Sequence, residues 1–294
     1  MLHGLYQGIF NGLASGLIYI LVALGLTLLF SIMGILNFAH GEIYMLGAYV
    51  VYYACVVAGI NFFWSLLISA LALGILGVLL ERFMFRPIRG DMEPAVLACI
   101  GLTVLLQTLA VIAFGTYLKY IPSIFPGVLK LGGLRLSKDR LLVMAIALTF
   151  TLALILVVNK TKVGKALRAT AVNREAASYM GIRTDRMNAL AWAIGGGTAG
   201  VAGGLLVNFY YAFPTVGLLF VMIAFACVAL GGFGSIKGVF FAGLLVGVIE
   251  ILFPIFGSLV GSSFLGPHFK FTIVYLAYFI IVVFRPQGLF GWKH

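Results

Sequence analysis

The sequence predicts an all-α polytopic membrane protein of about eight to ten transmembrane helices, some of them broken or re-entrant. Three observations predict it. Of 294 residues, 63% are hydrophobic and 9% charged, against about 25% charged in soluble chains, and the mean hydropathy is +1.17. The apolar residues also fall in runs close to the roughly 20 residues a helix needs to cross a bilayer. Finally, the one long charged stretch, 160–186, is an island holding seven of the nineteen Lys and Arg.

The predicted spans, in order, are 5–30, 43–58, 62–82, 93–115, 140–158, 189–212, 216–232, 238–256 and 270–285. They leave no room for a soluble domain, so residues 1–294 read as a single membrane domain. Its two longest connections are 116–139 and 160–188. The start, MLHGLYQGIFNG, lacks the basic region and small-residue cleavage site of a signal peptide, so the first run is expected to stay as a helix. Cys55, Cys99 and Cys227 stand alone in apolar segments and read as small hydrophobes.

Between the first two spans, SIMGILNFAHGE (31–42) is too polar and Gly-broken for a clean helix and too apolar for an open loop. Irregular backbone at membrane depth survives where it is buried in protein or lines a cavity. The segment reads either as a discontinuous helix at a transport site or as an interfacial turn.

Placing 160–188 in the cytoplasm puts thirteen Lys and Arg inside, including Arg82, Arg86, Arg89, Lys237, Arg285 and Lys293, against six outside. The positive-inside rule favours this arrangement, with the N-terminus outside and the C-terminus inside. Four of the six outside lie in 116–139, whose prolines and Gly pair predict an ordered extracytoplasmic loop. Gly74–Glu81 and Gly243–Glu250 each place Gly and Glu seven residues apart, on helices of opposite direction, as an inverted repeat requires. Gly196, Gly200 and Gly204 have the small-xxx-small spacing of a helix-packing face.

Several chemistries are excluded. The basic residues form no soluble face for nucleic acid. Gly164-Lys165 lacks the upstream Gly and the following Ser or Thr of a phosphate loop, so no nucleotide site is expected. There is no HExxH and no aspartate cluster for Mg²⁺, so neither a catalytic residue nor a metal ligand is expected. The polar residues at or near membrane depth are Asn11, Asn37, His40, Glu42, Gln107, Asn208 and Glu250. An ionisable group there costs about 3 kcal/mol or more and is a functional candidate. Asn37, His40, Glu42 and Glu250 are the candidates for a path or gate. The competing readings are that Glu42 caps a helix start, His40 sits in the interface, and Glu250 is paired or neutral. No strip of acidic or His residues crosses successive helices, which leaves a proton relay unsupported.

Within the island, Lys165–Met180 carries apolar Leu167, Ala171, Val172, Ala176, Tyr179 and Met180 at mostly helical spacing, with Arg168, Arg174 and Glu175 off that stripe. Gly181 then ends the helix. The segment reads as a short amphipathic helix that lies on lipid or docks into a partner's groove.

Glu175-Ala-Ala-Ser-Tyr-Met-Gly181 resembles the EAAxxxG core of the coupling loop of ABC importer permeases. The long motif continues to Ile-x-Leu-Pro where this chain reads Ala191-Trp-Ala-Ile-Gly195, which points away from a maltose-permease-like fold. NFAHGEIYMLGAY (37–49), ALRATAVNREAASYMGI (166–182), GGFGSIKG (231–238) and RPQGLFG (285–291) resemble, in order, segments of branched-chain amino acid importer permeases of the LivH type.

That resemblance implies a non-enzymatic membrane subunit of the bacterial or archaeal inner membrane that carries leucine, isoleucine or valine. The implied partners are a second, LivM-like permease, two cytoplasmic ATPase subunits that use ATP and Mg²⁺, and a periplasmic or lipid-anchored binding protein. Membrane lipid surrounds the assembly, and no cofactor is expected in this chain. Leu167, Arg168, Arg174, Glu175, Ala176, Ala177 and Gly181 would couple to the ATPase. The alternatives are a permease for urea, short amides or other amino acids and, from another class, a stand-alone secondary transporter.

Overall fold

The apolar runs become helices in the computed structural model, which describes residues 2–34, 36–131, 134–260, 269–285 and 288–289. The helices are α1 (Leu2–Met33), α2 (His40–Tyr52), α3 (Phe62–Leu80), α4 (Met92–Phe114), α5 (Lys138–Lys160), α6 (Lys162–Val172), α7 (Arg174–Tyr179), α8 (Thr184–Leu206), α9 (Val216–Gly231), α10 (Ile236–Val260) and α11 (Lys270–Phe284). Single π-helical turns extend α2 to Val57 and α3 to Phe85. Among the described residues, six helices are long and apolar enough to span a membrane: α1, α3 with its π turn, α4, α5, α8 and α10. The remaining predicted runs correspond to the shorter helices α2, α9 and α11.

Helices α1 and α8 form the centre. About three quarters of each apolar window is buried, 78% and 72%, against 22–33% for α3, α4, α5 and α10, which therefore form the periphery. Close approach between helices is set by glycine. A Cβ on Gly16 would lie 2.8 Å from the Gly243 carbonyl oxygen of antiparallel α10, and one on Gly200 would lie 2.8 Å from the Ser69 carbonyl oxygen of α3. The Gly196–Gly200–Gly204 face thus packs as its spacing predicts, against α3 and the Val51 side chain of α2. Ser69 adds a hydroxyl bond to the Gly200 carbonyl at 3.0 Å.

The packing is inverted and twofold in pattern. α1 lies chiefly on α10 and α8 chiefly on α3, while α2 sits beside α8 as α9 sits beside α1. α1 and α8 run antiparallel where Gly25 and Leu29 meet Gly195. The exchange of α1–α2–α3 with α8–α9–α10 is the inverted repeat that the Gly74–Glu81 and Gly243–Glu250 match foretold.

Four boundaries differ from expectation. The break expected over 31–42 is shorter: α1 runs to Met33, Gly34 takes φ +69°, and His40–Glu42 already form the first turn of α2. The 189–212 run starts earlier, at Thr184, and stops at Leu206. The 116–139 loop contains an antiparallel hairpin of β1 (Val128–Leu131) and β2 (Leu134–Ser137), a short ordered element in a loop of an otherwise all-α membrane fold. The single island helix is two helices, broken at extended Asn173 (φ −154°, ψ 109°). Pro286, Gln287 and 290–294, which include most of RPQGLFG and Lys293, lie outside the described residues.

Gly200→Leu is expected to lower stability by about 1–3 kcal/mol through overpacking at the α3–α8 contact. Gly101→Leu, where no atom lies within 4 Å of the added Cβ, should leave the thermal midpoint of the detergent-solubilised protein unchanged. Fluorescence-detected size exclusion after heating reads both.

Candidate functional site

The chain re-enters the membrane after α1. His40 Nε2 lies 3.2 Å from the Val22 carbonyl oxygen, and Val22 is about 16 Å along α1 from its end at 1.5 Å per residue. With a hydrocarbon core of about 30 Å, α2 starts near mid-depth. α9 starts at the same level from the other half. Gly41 and Gly217 touch backbone to backbone: a Cβ on Gly41 would lie 2.8 Å from the Gly217 carbonyl carbon, and one on Gly217 2.6 Å from that of Gly41. Two short helices therefore meet N-terminus to N-terminus inside the membrane, each preceded by irregular backbone.

Three of the predicted path residues gather here. Asn37, His40 and Glu42 are 3%, 0% and 0% exposed. His40 Nε2 must be the donor to Val22, which leaves Nδ1 an acceptor, and Nδ1 has no hydrogen-bond partner among the described residues. Glu42 Oε1 accepts from Gln107 Nε2 at 2.8 Å, while Oε2 has no such partner. Both amide atoms of Asn37 and the hydroxyls of Tyr44 and Tyr49 are likewise without one. A buried unpaired polar group costs about 1–3 kcal/mol, so several of them on α2 and its approach mark places kept for polar contact rather than for packing, with His40 facing α1 and Glu42 facing α4. The helix-cap reading of Glu42 does not hold, since the N-cap of α2 has no side-chain hydrogen bond. His40 is likewise not interfacial.

Glu250 stands apart, on α10. It is 1% exposed and accepts from the Tyr19 hydroxyl and, at 3.5 Å, from that of Tyr210. An aromatic cluster joins it to the first group: Phe220 lies 6.0 Å from Tyr19, 5.2 Å from Tyr44 and 5.5 Å from Tyr210, centroid to centroid. Tyr19, Tyr44 and Tyr210 were not singled out in the sequence, where a Tyr in an apolar run carries no mark.

The charged island forms a second candidate. Thr161 Oγ1 caps α6 by accepting from Gly164 N at 3.0 Å. Asn173 Oδ1 caps α7 by accepting from Ala176 N at 2.9 Å. Gly181 closes α7 at φ +81°, a left-handed conformation costing other residues about 1–2 kcal/mol. Because the helix breaks at Asn173, the predicted stripe does not stay on one face. Leu167 and Ala177 turn inward at 1% and 4% exposure, whereas Val172, Tyr179 and Met180 turn outward at 88%, 85% and 85%. Arg168, Arg174, Glu175 and Ala176 are also exposed, and Arg168 donates to the Asn159 carbonyl at 3.3 Å. The island thus presents an apolar patch edged by charge.

A charge cluster ties this segment to the membrane helices. Asp185, at the start of α8, accepts from Arg174 at 3.0 Å, from Arg89 at 2.7 Å and from Arg86. Arg89 also pairs with Glu81, and these two side chains are only 13% and 3% exposed. With its amide oxygen turned toward Arg89, Asn188 accepts from both terminal nitrogens at 3.0 Å. Burial, and after it the nearby Arg89, hold Arg174 below its usual range, with Asp185 opposing. The cluster places 81–91 and 160–188 on one side of the spans. Gln7 bonded to the backbone of Arg135 (2.8 Å) places the start of α1 on the other side, with 116–139.

Comparison with known proteins places nearly all of the chain in one family. The family described as "Branched-chain amino acid transport system / permease component" matches residues 8–283. "High-affinity branched-chain amino acid transport system permease protein LivH" is 33% identical both in Salmonella typhimurium and in Escherichia coli K12, covering 97% of this chain and 95% of each relative. "High-affinity branched-chain amino acid transport system permease protein BraD" of Pseudomonas aeruginosa is 31% identical with the same coverage. The solved structure "PsaBC from Streptococcus pneumoniae in complex with Fab" shares the fold, with TM-score 0.57 at 14% identity, covering 99% of this chain and 98% of that one.

Arg89→Ala is expected to destabilise by about 3–5 kcal/mol, since it leaves the Glu81 carboxylate buried without its ion-pair partner, whereas Glu81→Ala should cost less because Arg89 keeps Asp185. Arg86→Ala, at an exposed pair, should cost about 1 kcal/mol or less. The double variant Glu81→Gln/Arg89→Met should recover part of the loss, read as thermal midpoints.

Proposed function

The chain belongs to the branched-chain amino acid transport permease family, and from that premise we propose that it is the membrane subunit of an ATP-driven importer of leucine, isoleucine and valine. The single observation that carries a path through this chain is the mid-depth meeting of α2 and α9, with Asn37, His40 and Glu42 buried beside it. Helix N-termini carry partial positive charge, and half-helices at mid-depth offer it to anionic groups of a solute. The carboxylate of a zwitterionic amino acid faces those ends. Glu42 and Asn37 then serve its ammonium group, and the aromatic cluster around Phe220 serves its aliphatic side chain.

The positive residues orient the molecule. The segment 160–188 lies in the cytoplasm together with 81–91, and the N-terminus and 116–139 lie outside. The outward patch of Val172, Ala176, Tyr179 and Met180 docks into an ATPase subunit, with Arg168, Arg174 and Glu175 at its rim. Leu167, Ala177 and Gly181 shape the segment so that this patch stands out. Motion of the ATPase pair, powered by ATP and Mg²⁺ held there, passes through Arg174 and Asp185 to Arg86 and Arg89 of the first half and to α8 of the second. The inverted halves tilt against each other about the Gly41–Gly217 contact. A second, LivM-like permease completes the pair, and a binding protein delivers substrate to the outer face, where Tyr117 and Tyr120 are exposed at 82% and 60%.

In proteoliposomes of the whole complex, ATP-dependent uptake of leucine is expected, and uptake of urea instead of leucine would overturn the substrate assignment. Asn37→Ala and Glu42→Gln should cut uptake at least about tenfold, a loss near 1.4 kcal/mol, with assembly intact.

Tyr179→Asp/Met180→Asp should abolish co-purification of the ATPase without lowering the thermal midpoint of this chain. Gly181→Val should weaken the same association through the left-handed turn. Unchanged co-purification and uptake in both would end the coupling assignment.

A further inference from the structure

On the 160–188 side, a cleft of about 740 Å³ opens between the end of α3, with its π turn, and the approach to α8. Its walls carry Arg82, Arg86, Arg174, Arg183 and Arg186 against Glu81 and Asp185, with apolar Val78, Ile182 and Ala189 between them. Five cations face two anions. Arg86 and Arg174 are already committed to Asp185. Arg82, Arg183 and Arg186 make no ion pair among the described residues, and all three are exposed. An excess of guanidinium groups converging on one concave site is the donor set that phosphate oxygens fit.

The cleft does not open into water alone. From its mouth a lipid-facing ridge runs along α3 at four-residue spacing: Phe83, Leu79, Ile75 and Leu71, exposed at 71%, 45%, 61% and 59%. From Phe83 to Leu71 the ridge spans about 18 Å at 1.5 Å per residue, close to the roughly 15 Å depth of one leaflet's hydrocarbon. Arg82 stands at the junction, its guanidinium carbon 5.9 Å from the Phe83 ring centroid. Phosphate donors at interface height, continuous with an apolar rail one leaflet long, have the dimensions of one phospholipid. General attraction of basic loops to anionic lipid predicts neither the concavity nor the rail.

We propose that this cleft is a binding site for one anionic glycerophospholipid of the adjoining leaflet. Its phosphate is held by Arg82, Arg183 and Arg186, and its acyl chains lie along Phe83, Leu79, Ile75 and Leu71. The site needs neither the transport reading nor the sidedness given above. Because Asp185, Arg86 and Arg174 line it, occupancy stiffens the joint between α3, α8 and the charged island, so bound lipid braces the cluster described above.

The test is native mass spectrometry of the purified full-length chain in detergent, titrated with phosphatidylglycerol or phosphatidylcholine. Wild type is expected to retain one phosphatidylglycerol at least about tenfold more tightly than phosphatidylcholine, roughly 1.4 kcal/mol. R82Q/R183Q/R186Q, which changes exposed side chains only, should lose that preference while keeping its thermal midpoint. Equal retention of the two lipids by wild type, or undiminished preference in the variant, overturns the site. Displacement of phosphatidylglycerol by inorganic phosphate or by free glycerophosphoglycerol would show a soluble-anion pocket and overturn the lipid assignment. Loss of ATPase co-purification in the variant with phosphatidylglycerol retention unchanged would make the cleft a protein-docking face, and also overturns it.

Discussion

Hydrocarbon offers no hydrogen bonds to backbone, so a helix that ends inside the membrane must have its exposed groups covered by protein. This chain begins helices at mid-depth twice, at α2 and at α9, and meets the requirement locally: His40 N–H donates to the Asn37 carbonyl, Glu42 and Ile43 N–H to that of Ala39, and Val216 N–H to that of Phe213. The contact of Gly41 with Gly217 leaves no room for a side chain on either residue. Around it, α1 supplies the Val22 carbonyl to His40, and the opposite loop covers the second break through the paired backbones of Lys119 and Ala212. The centrality of α1 and α8 follows, because these are the helices that must flank both breaks.

The same arrangement accounts for where polarity is tolerated. Asn37, His40 and Glu42 sit at the covered break rather than along a lipid-facing helix. Glu250 is reached by hydroxyls from two other elements, the helix α1 and the segment between α8 and α9. A carboxylate with several hydroxyl donors can stay deep in the structure where an unpaired one would not. The charge cluster on Asp185 applies this logic at the membrane edge, where three arginines share one carboxylate and join both inverted halves to the charged island.

Much of the fold was legible in composition. Hydrocarbon thickness imposes a length on each span, so the runs that became α3, α4 and α5 were placed nearly to the residue. Short segments were less legible. Periodicity made 165–180 one amphipathic helix, but a single Asn at 173 can cap a new helix as readily as continue an old one. Breaking there split the expected stripe, with Leu167 turned inward and Val172, Tyr179 and Met180 turned outward. Gln107 was legible as an intramembrane polar residue, whereas its pairing with Glu42 across 65 positions was not, because nothing local encodes it.

What the sequence determined by itself is the solvent in which the chain folds, the number and rough place of its apolar runs, its one charged island, and its kinship with a permease family. Those are properties of composition and local pattern. The tertiary structure alone decided that α2 and α9 start at the same depth, that Glu250 joins Asn37, His40 and Glu42 through aromatic rings, and that Asp185 gathers arginines from far along the chain. Each of these depends on two backbones approaching closely, and the approach is set by packing between helices remote in sequence.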